Sequence, residues 1–109
     1  MRLIVAVSFF LVLGFLVPLK LYAQSQKPFT VVIDAGHGGK DPGNRGNSYY
    51  EKKIVLSIAL KTGALLKKEK GVKVVYTRTT DTYVTLNGRA NIANKAKADL
   101  FVSIHCDAH

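Results

Sequence analysis

Three residues of this chain, His37, Glu51 and His105, have metal-binding side chains at positions that could form a single site. His37 lies in a glycine-rich segment after the apolar run 31–33, Glu51 begins an amphipathic stretch, and His105 follows the apolar run 100–104. Two imidazoles and one carboxylate, with water in the fourth position, form the ligand set of an open catalytic zinc site. Together the three residues indicate zinc-dependent hydrolysis, although each alone has an ordinary structural explanation: a turn histidine, a capping glutamate and a core histidine.

Other polar residues near this set are weaker candidates. Asp34 precedes His37 by three residues and either orients its imidazole through a hydrogen bond or bonds the local backbone as a turn residue. Cys106 is the only cysteine, and we expect a small buried hydrophobe rather than a ligand. His109 is not expected to be a ligand, because three are already present. The remaining acidic residues are weak candidates for a general base: Asp41, Glu69, Asp81 and Asp107.

The segment 36–40, Gly-His-Gly-Gly-Lys, also suggests a phosphate-binding loop, but two positions disagree with that motif. Asp41 follows the lysine where the motif needs Ser or Thr, and Asp34 occupies the position of its first glycine. The basic residues around the segment are explained either as partners of carboxylates on a substrate or, more simply, as a solvated face: Lys40, Arg45, Lys52 and Lys53.

Two stretches have the apolar spacing of helices, with apolar residues recurring every three or four positions. In the first, Ser48 lies three residues before Glu51, as in a capping box. This helix is therefore predicted to begin near Ser48 or Tyr49, with Gly71 as its C-terminal cap. The second helix is predicted over residues 86–98.

Three short apolar runs, at 29–33, 72–77 and 100–104, predict strands that alternate with these helices. That order is typical of an α/β fold with a mostly parallel central sheet flanked by helices. Because the chain stops soon after the third strand, we expect the fold to be truncated at its C-terminal side, as the front part of a longer protein.

The N-terminal segment 1–23 has the features of a secretory signal peptide. It has a basic start at Arg2, an apolar core too short to span a bilayer comfortably, and Ala23 as a small residue before the cleavage point. An uncleaved anchor helix is the alternative. We expect an exported protein, in the periplasm or the extracellular cell wall, whose domain comprises residues 24–109.

The charge of the exported part favours an anionic polymer as partner. Without Arg2 and Lys20, the 16 basic residues become 14 against 7 acidic residues, a net charge of +7. Such an excess outside the cytoplasm suits cell-wall material or a membrane surface. Nucleic acid is not expected as a partner, since the sequence has no nucleic-acid-binding motif and no basic stripe rich in aromatic residues.

Several segments carry a specific resemblance to a known family. VVIDAGHGGKDPG at 31–43 resembles the opening motif of the zinc-dependent N-acetylmuramoyl-L-alanine amidases, which are cell-wall hydrolases. Glu51 at the helix start, YTRTTD at 76–81, LNGRAN at 86–91 and FVSIH at 101–105 continue the match in the family's order and spacing. The resemblance covers essentially all of the chain after the leader.

The resemblance implies Zn2+ at the carboxyl edge of the sheet, bound by His37, Glu51 and His105. It implies hydrolysis of the amide between N-acetylmuramic acid and L-alanine in peptidoglycan, in cell-wall remodelling or cell separation. Members carry a further catalytic glutamate near the end of the domain, so the general base is expected beyond His109. The alternative is a non-catalytic fragment that binds peptidoglycan or zinc. An activator protein or a cell-wall-binding domain would not be visible in this chain.

Overall fold

The computed structural model describes residues 26–107, so the predicted signal segment and His109 lie outside the described residues. In chain order the elements are β1 (Phe29–Ala35), β2 (Arg45–Gly46), β3 (Tyr49–Tyr50), α1 (Glu51–Leu66), β4 (Val72–Tyr76), α2 (Leu86–Lys95) and β5 (Leu100–Ile104). Between residues 26 and 107, no helix is long and apolar enough to cross a membrane.

The central sheet has three strands in the order β4-β1-β5, and β1 pairs in parallel with both neighbours. Each connection between parallel strands contains a helix, α1 before β4 and α2 before β5. The predicted α/β fold with a parallel sheet is therefore confirmed. Since the carboxyl ends of parallel strands meet at one edge, the residues that follow β1 and β5 become neighbours. A bond from Gly36 N to Ile104 O (3.1 Å) extends this pairing beyond β1.

The hydrophobic core lies between β1 and α1. Val31, Ile33 and Ala35 form one face of β1 and pack against Val55 and Ala59 of α1. The opposite face of β1 is buried as well, with Thr30, Val32 and Asp34, as a continuous apolar run predicts. The buried residues of α1 recur every fourth position, from Glu51 to Gly63, so the helix surface that packs on the sheet also carries Glu51.

The predicted capping box at Ser48 is wrong. Ser48 has a φ of 73° in the turn of a short antiparallel hairpin formed by β2 and β3, and the helix begins only at Glu51. Backbone carbonyls cap the helix instead: Asn44 O accepts from Glu51 N (3.0 Å) and Pro42 O from Lys52 N (3.1 Å). The Glu51 side chain is therefore free for other partners.

The predicted helix ends are also too late. Helix α1 ends at Leu66, and Gly71, with a φ of 80°, lies in the turn that enters β4. Helix α2 ends at Lys95 rather than at Ala98, since Lys97 adopts a left-handed φ of 51°. Its N-terminus is capped by the Thr85 hydroxyl, which accepts from Gly88 N (3.0 Å).

Candidate metal centre

The turn that carries His37 has an unusual backbone. His37, Gly38 and Gly39 follow one another with φ angles of 59°, 118° and 55°. Reciprocal backbone bonds between Gly38 and Asp41, of 2.9 and 3.1 Å, close the turn. A left-handed φ costs a residue that has a Cβ about 1–2 kcal/mol. Surrounding contacts must therefore hold His37 in this conformation, as is common at functional sites.

The structure brings His37, Glu51 and His105 together at the carboxyl edge of the sheet. His37 Nε2 lies 2.9 Å from Glu51 Oε1, and His105 Nδ1 lies 3.4 Å from the same oxygen. The two imidazole nitrogens are 3.1 Å apart. One ligand atom from each of the three residues lies within 4.8 Å of the others, which is close enough for all three to bind a single ion.

Glu51 is held as a buried carboxylate. Its side chain is 3% exposed, and its two oxygens accept from the backbone N–H groups of Cys106 and Asn44, each at 2.8 Å. Burial alone would raise the pKa of Glu51, but these two N–H donors and the nearby His37 outweigh it and keep the pKa below its ordinary value. Glu51 therefore carries a negative charge at neutral pH.

The partner of the His37 imidazole is Asp41. Asp41 Oδ2 lies 2.8 Å from His37 Nδ1, while Oδ1 accepts from Gly43 N at 3.0 Å. The hydrogen bond with His37, followed by that from Gly43, lowers the pKa of the Asp41 carboxyl. A carboxylate on the far nitrogen fixes the orientation and tautomer of an imidazole that binds a metal ion through the other nitrogen.

Asp34 takes neither of the two roles expected for it: among residues 26–107, its carboxylate bonds neither the His37 ring nor the local backbone. Asp34 Oδ1 accepts from Thr77 Oγ1 and Arg89 Nη1, each at 2.6 Å, and Oδ2 accepts from Ser103 Oγ at 2.7 Å. Burial alone would raise the pKa of Asp34, but these three bonds together outweigh it and hold the pKa below its ordinary value. Asp34 thus ties β1 to Thr77, which follows β4, to α2 and to β5.

The hydrogen-bond chemistry of the cluster fits a bound cation. Because the Asp41 carboxylate only accepts, a neutral His37 ring bonded to it carries its hydrogen on Nδ1 and presents a lone pair at Nε2. That lone pair faces the negative oxygen of Glu51 and the ring nitrogen of His105. Either a hydrogen on His105 Nδ1 or a cation held between the three atoms would satisfy this lone pair and the carboxylate oxygen. Nitrogen and carboxylate donors in this combination suit a divalent transition metal.

Two glycines make room for the cluster. A Cβ at Gly36 would lie 2.5 Å from His105 Nε2, and a Cβ at Gly43 would lie 2.7 Å from His37 Cδ2 and 2.8 Å from Glu51 Oε2. Gly43 also has a φ of 67°, a conformation that side chains with a Cβ rarely adopt. Both positions therefore require glycine for the three side chains to meet.

A groove lies beside the cluster, between α2 and the edge of the sheet. It encloses about 680 Å³, and His37 and His105 line one end. Its walls are mainly apolar and include Tyr83, Leu86 and Phe101, which are all substantially exposed. Grooves of this size hold small molecules or short polymer segments.

The comparisons with known proteins agree with this geometry. The family model described as N-acetylmuramoyl-L-alanine amidase matches residues 31–109, which include all three residues of the cluster. The chain belongs to the N-acetylmuramoyl-L-alanine amidase family. The resemblance found in the sequence motifs is therefore confirmed for the family.

Relatives of this amidase family come from several bacteria. The probable N-acetylmuramoyl-L-alanine amidase AmiB of Haemophilus influenzae is 47% identical over 83 residues, which are 74% of this chain and 19% of that protein. The sporulation-specific N-acetylmuramoyl-L-alanine amidase of Bacillus subtilis is 48% identical over 79 residues, which are 72% of this chain and 31% of that protein. The chain thus spans less than a third of the length of these two curated relatives.

Solved amidase structures share the fold. The N-acetylmuramoyl-L-alanine amidase from Clostridium difficile 630 has a TM-score of 0.75 and 45% identity, over 77% of this chain and 46% of that chain. The catalytic domain of CwlV from Bacillus (Paenibacillus) polymyxa var. colistinus has a TM-score of 0.72 and 45% identity, over 73% of this chain and 46% of that chain. This chain therefore corresponds to about half of either amidase structure.

Two residues that bond the cluster are not indicated by the sequence pattern. Asp41 is a weak general-base candidate in the sequence. Its hydrogen bond to His37 depends on the left-handed turn between the two residues, which the spacing alone does not predict. Asn44 gave no signal at all, since it bonds Glu51 through its backbone N–H and the Cys106 carbonyl through its side chain (2.7 Å). Cys106 is half-buried against the core and is not among the three clustered residues.

Proposed function

We propose that this protein is a zinc-dependent amidase that cleaves peptidoglycan between the lactyl group of N-acetylmuramic acid and the L-alanine of the stem peptide. Membership of the amidase family supports the reaction. The observation that carries the zinc dependence is the convergence of His37, Glu51 and His105 within 4.8 Å. Two imidazoles and one carboxylate are the protein ligands of open catalytic zinc sites.

Each residue of the site has a distinct task in this proposal. When bound, zinc supplies a Lewis acid and a water of lowered pKa. His37 and His105 would hold the ion as neutral ligands, and Glu51 would hold it as an anion that its N–H partners keep deprotonated. Asp41 keeps the His37 ring in the tautomer that leaves Nε2 free. The apolar wall of the groove would exclude water from the bound substrate.

The general base is proposed to come from the part of the amidase domain that the chain does not match. Amide hydrolysis needs a carboxylate that moves a proton from water to the departing nitrogen. Both oxygens of Asp34 and of Asp41 already accept hydrogen bonds from protein groups, so neither is placed for that task. The occupied oxygens of Asp34 and Asp41 also favour a second candidate function, which is a zinc- or peptidoglycan-binding fragment that does not cleave.

Export is part of the proposal, because the substrate lies outside the cytoplasm. The basic start and apolar core of residues 1–23 support a signal peptide, and the excess of basic residues suits an anionic wall polymer. We place the protein in the periplasm or the extracellular cell wall, where it would act in wall remodelling or cell separation.

The test is the release of stem peptides from purified peptidoglycan, followed by chromatography and mass spectrometry. A protein that contains the whole domain should release peptides beginning with L-alanine when zinc is present and none with a chelator. Glu51→Ala should abolish release, whereas Glu69→Ala, an exposed glutamate beyond the end of α1, should leave it unchanged. Residues 24–109 alone should lose the proton-transfer contribution, about 10²–10⁴-fold in rate. Chelator-resistant release would contradict the zinc proposal. A whole domain that binds zinc but releases no peptide would support the second candidate function, binding without cleavage.

A further inference from the structure

Two buried arginines lie directly beneath the turn that carries His37. Arg78 follows β4 and Arg89 lies in α2, and they are 4% and 6% exposed. Arg78 donates from Nε to Ala35 O at 2.9 Å and from Nη2 to Gly36 O at 2.7 Å. Arg89 donates from Nη1 to Ala35 O and from Nη2 to His37 O, each at 2.7 Å. Three consecutive carbonyl oxygens are thus held by two guanidinium groups.

The two arginines are not explained as a simple ion pair. Among the described residues, one carboxylate, that of Asp34, bonds Arg89, and the remaining donors bond backbone carbonyls. Within residues 26–107, Arg78 bonds four carbonyls and no carboxylate. Besides Ala35 O and Gly36 O, it bonds Thr80 O at 3.0 Å and Lys52 O at 2.9 Å. A buried charge is costly unless it is well bonded. The two guanidinium groups are therefore stable only while the turn keeps its carbonyl oxygens in place.

That shape is what presents the His37 imidazole to Glu51. His37 is left-handed at a φ of 59° although it has a Cβ, so its backbone would relax to an ordinary conformation without restraint. The bond from Arg89 to the His37 carbonyl restrains the strained residue itself, and the bonds from Arg78 restrain the two residues before it. Arg78 also bonds Lys52 O in the first turn of α1, the helix that begins with Glu51.

We propose that Arg78 and Arg89 are positioning residues that hold the turn in its metal-binding conformation before the ion arrives. This inference rests on the proposed zinc site. It assigns the two arginines no contact with substrate or metal: they act through the carbonyls of residues 35–37. Lysine cannot replace them, because one ammonium group lacks the planar set of donors that reaches several carbonyls at once.

The inference is tested with Arg89→Lys and Arg78→Lys, which keep the positive charge and remove the planar donor set. Zinc affinity is measured by competition with a chromophoric chelator, and ligand geometry by the visible spectrum of the cobalt-substituted protein. Each variant should bind zinc roughly 10–100-fold more weakly, as is usual when the residues that orient metal ligands are changed, and the cobalt spectrum should shift. Arg45→Lys is the matched control, since Arg45 is exposed in β2, and its affinity should not change.

A second measurement covers the case in which the lysine variants do not fold. In the metal-free, unsubstituted protein, the Nε–H groups of Arg78 and Arg89 should exchange with solvent much more slowly than that of Arg45, by nuclear magnetic resonance. Exchange as fast as in Arg45 would overturn the inference, as would unchanged zinc affinity in both folded lysine variants. An unsubstituted protein that binds no zinc would overturn the inference and the zinc site together. Zinc binding without amidase activity would overturn only the proposed reaction.

Discussion

Gly36 gives a sharp test of how the metal site is built. A Cβ at this position would lie 2.5 Å from His105 Nε2 and 2.7 Å from Nδ1, whereas ordinary van der Waals contact begins at 3.4 Å. Nε2 alone would have to move by about 0.9 Å, from 2.5 Å to 3.4 Å, and Cε1, which lies closer still, by more than that. Functional groups must be held within about 0.5 Å of their productive positions. We expect Gly36→Ala to weaken zinc binding roughly 10–100-fold, or about 1.4–2.7 kcal/mol.

Gly46→Ala is the matched control for this substitution. Neither glycine has a left-handed φ, so the backbone accepts alanine at both, and a Cβ at Gly46 would meet nothing within 4 Å. The assay is chelator competition for zinc, with circular dichroism of the metal-free proteins to establish that both variants fold. If Gly36→Ala binds zinc as tightly as Gly46→Ala, His105 does not approach the metal across this glycine, and the described geometry is refuted.

Three further substitutions or measurements probe the surroundings of the site. Asp41→Asn should lower zinc affinity roughly 10–100-fold, because an amide can donate to His37 Nδ1 and favour the wrong tautomer; equal affinity by chelator competition would argue against Asp41 as the orienting group. Asp34→Asn should cost about 3–5 kcal/mol at pH 7, since it leaves Arg89 without its carboxylate, as urea unfolding can measure. Folding lowers the pKa of Asp34, so its contribution to the free energy of unfolding is present above its ordinary pKa and is lost as the pH falls through the pKa of the folded state. The unfolding free energy of Asp34→Asn should therefore depend less on pH in the acid range; a pH dependence equal to that of the unsubstituted protein would contradict this role of Asp34. Intact mass of the exported protein should show cleavage after Ala23, whereas retention of the leader would favour the anchor.

The convergence of the three cluster residues could be predicted in part, because two of them directly follow strands that the sequence identifies. β1 and β5 are recognisable as apolar runs, and parallel strands bring their carboxyl ends to one edge. His37 and His105 follow those strands, and they are neighbours because β5 pairs directly with β1, a strand order that the apolar runs alone do not give. Glu51 is recognisable as the start of an amphipathic stretch, although the capping box that its spacing from Ser48 predicts does not form.

The expectations for Ser48 and Asp34 fail for one physical reason: the spacing of residues in the sequence does not reveal hydrogen bonds between distant residues. Ser48 and Glu51 have the spacing of a capping box, but Glu51 bonds the backbone of Asn44 and Cys106, and the latter is 55 residues away. Asp34 is close to His37 in sequence, yet it bonds side chains of β5 and α2 and the residue that follows β4. These partners are fixed by packing of the whole sheet rather than by local sequence.

The most direct test of the central claim is X-ray absorption at the zinc edge on the zinc-loaded protein in solution. The account predicts one zinc ion per chain, with nitrogen and oxygen neighbours at about 2.0–2.2 Å and the multiple-scattering signal of two imidazoles. His37→Ala should remove one imidazole from that signal. A sulfur neighbour at about 2.3 Å, the distance expected for the thiolate of Cys106, the only cysteine in the sequence, would contradict the account. The absence of imidazole scattering would contradict it as well.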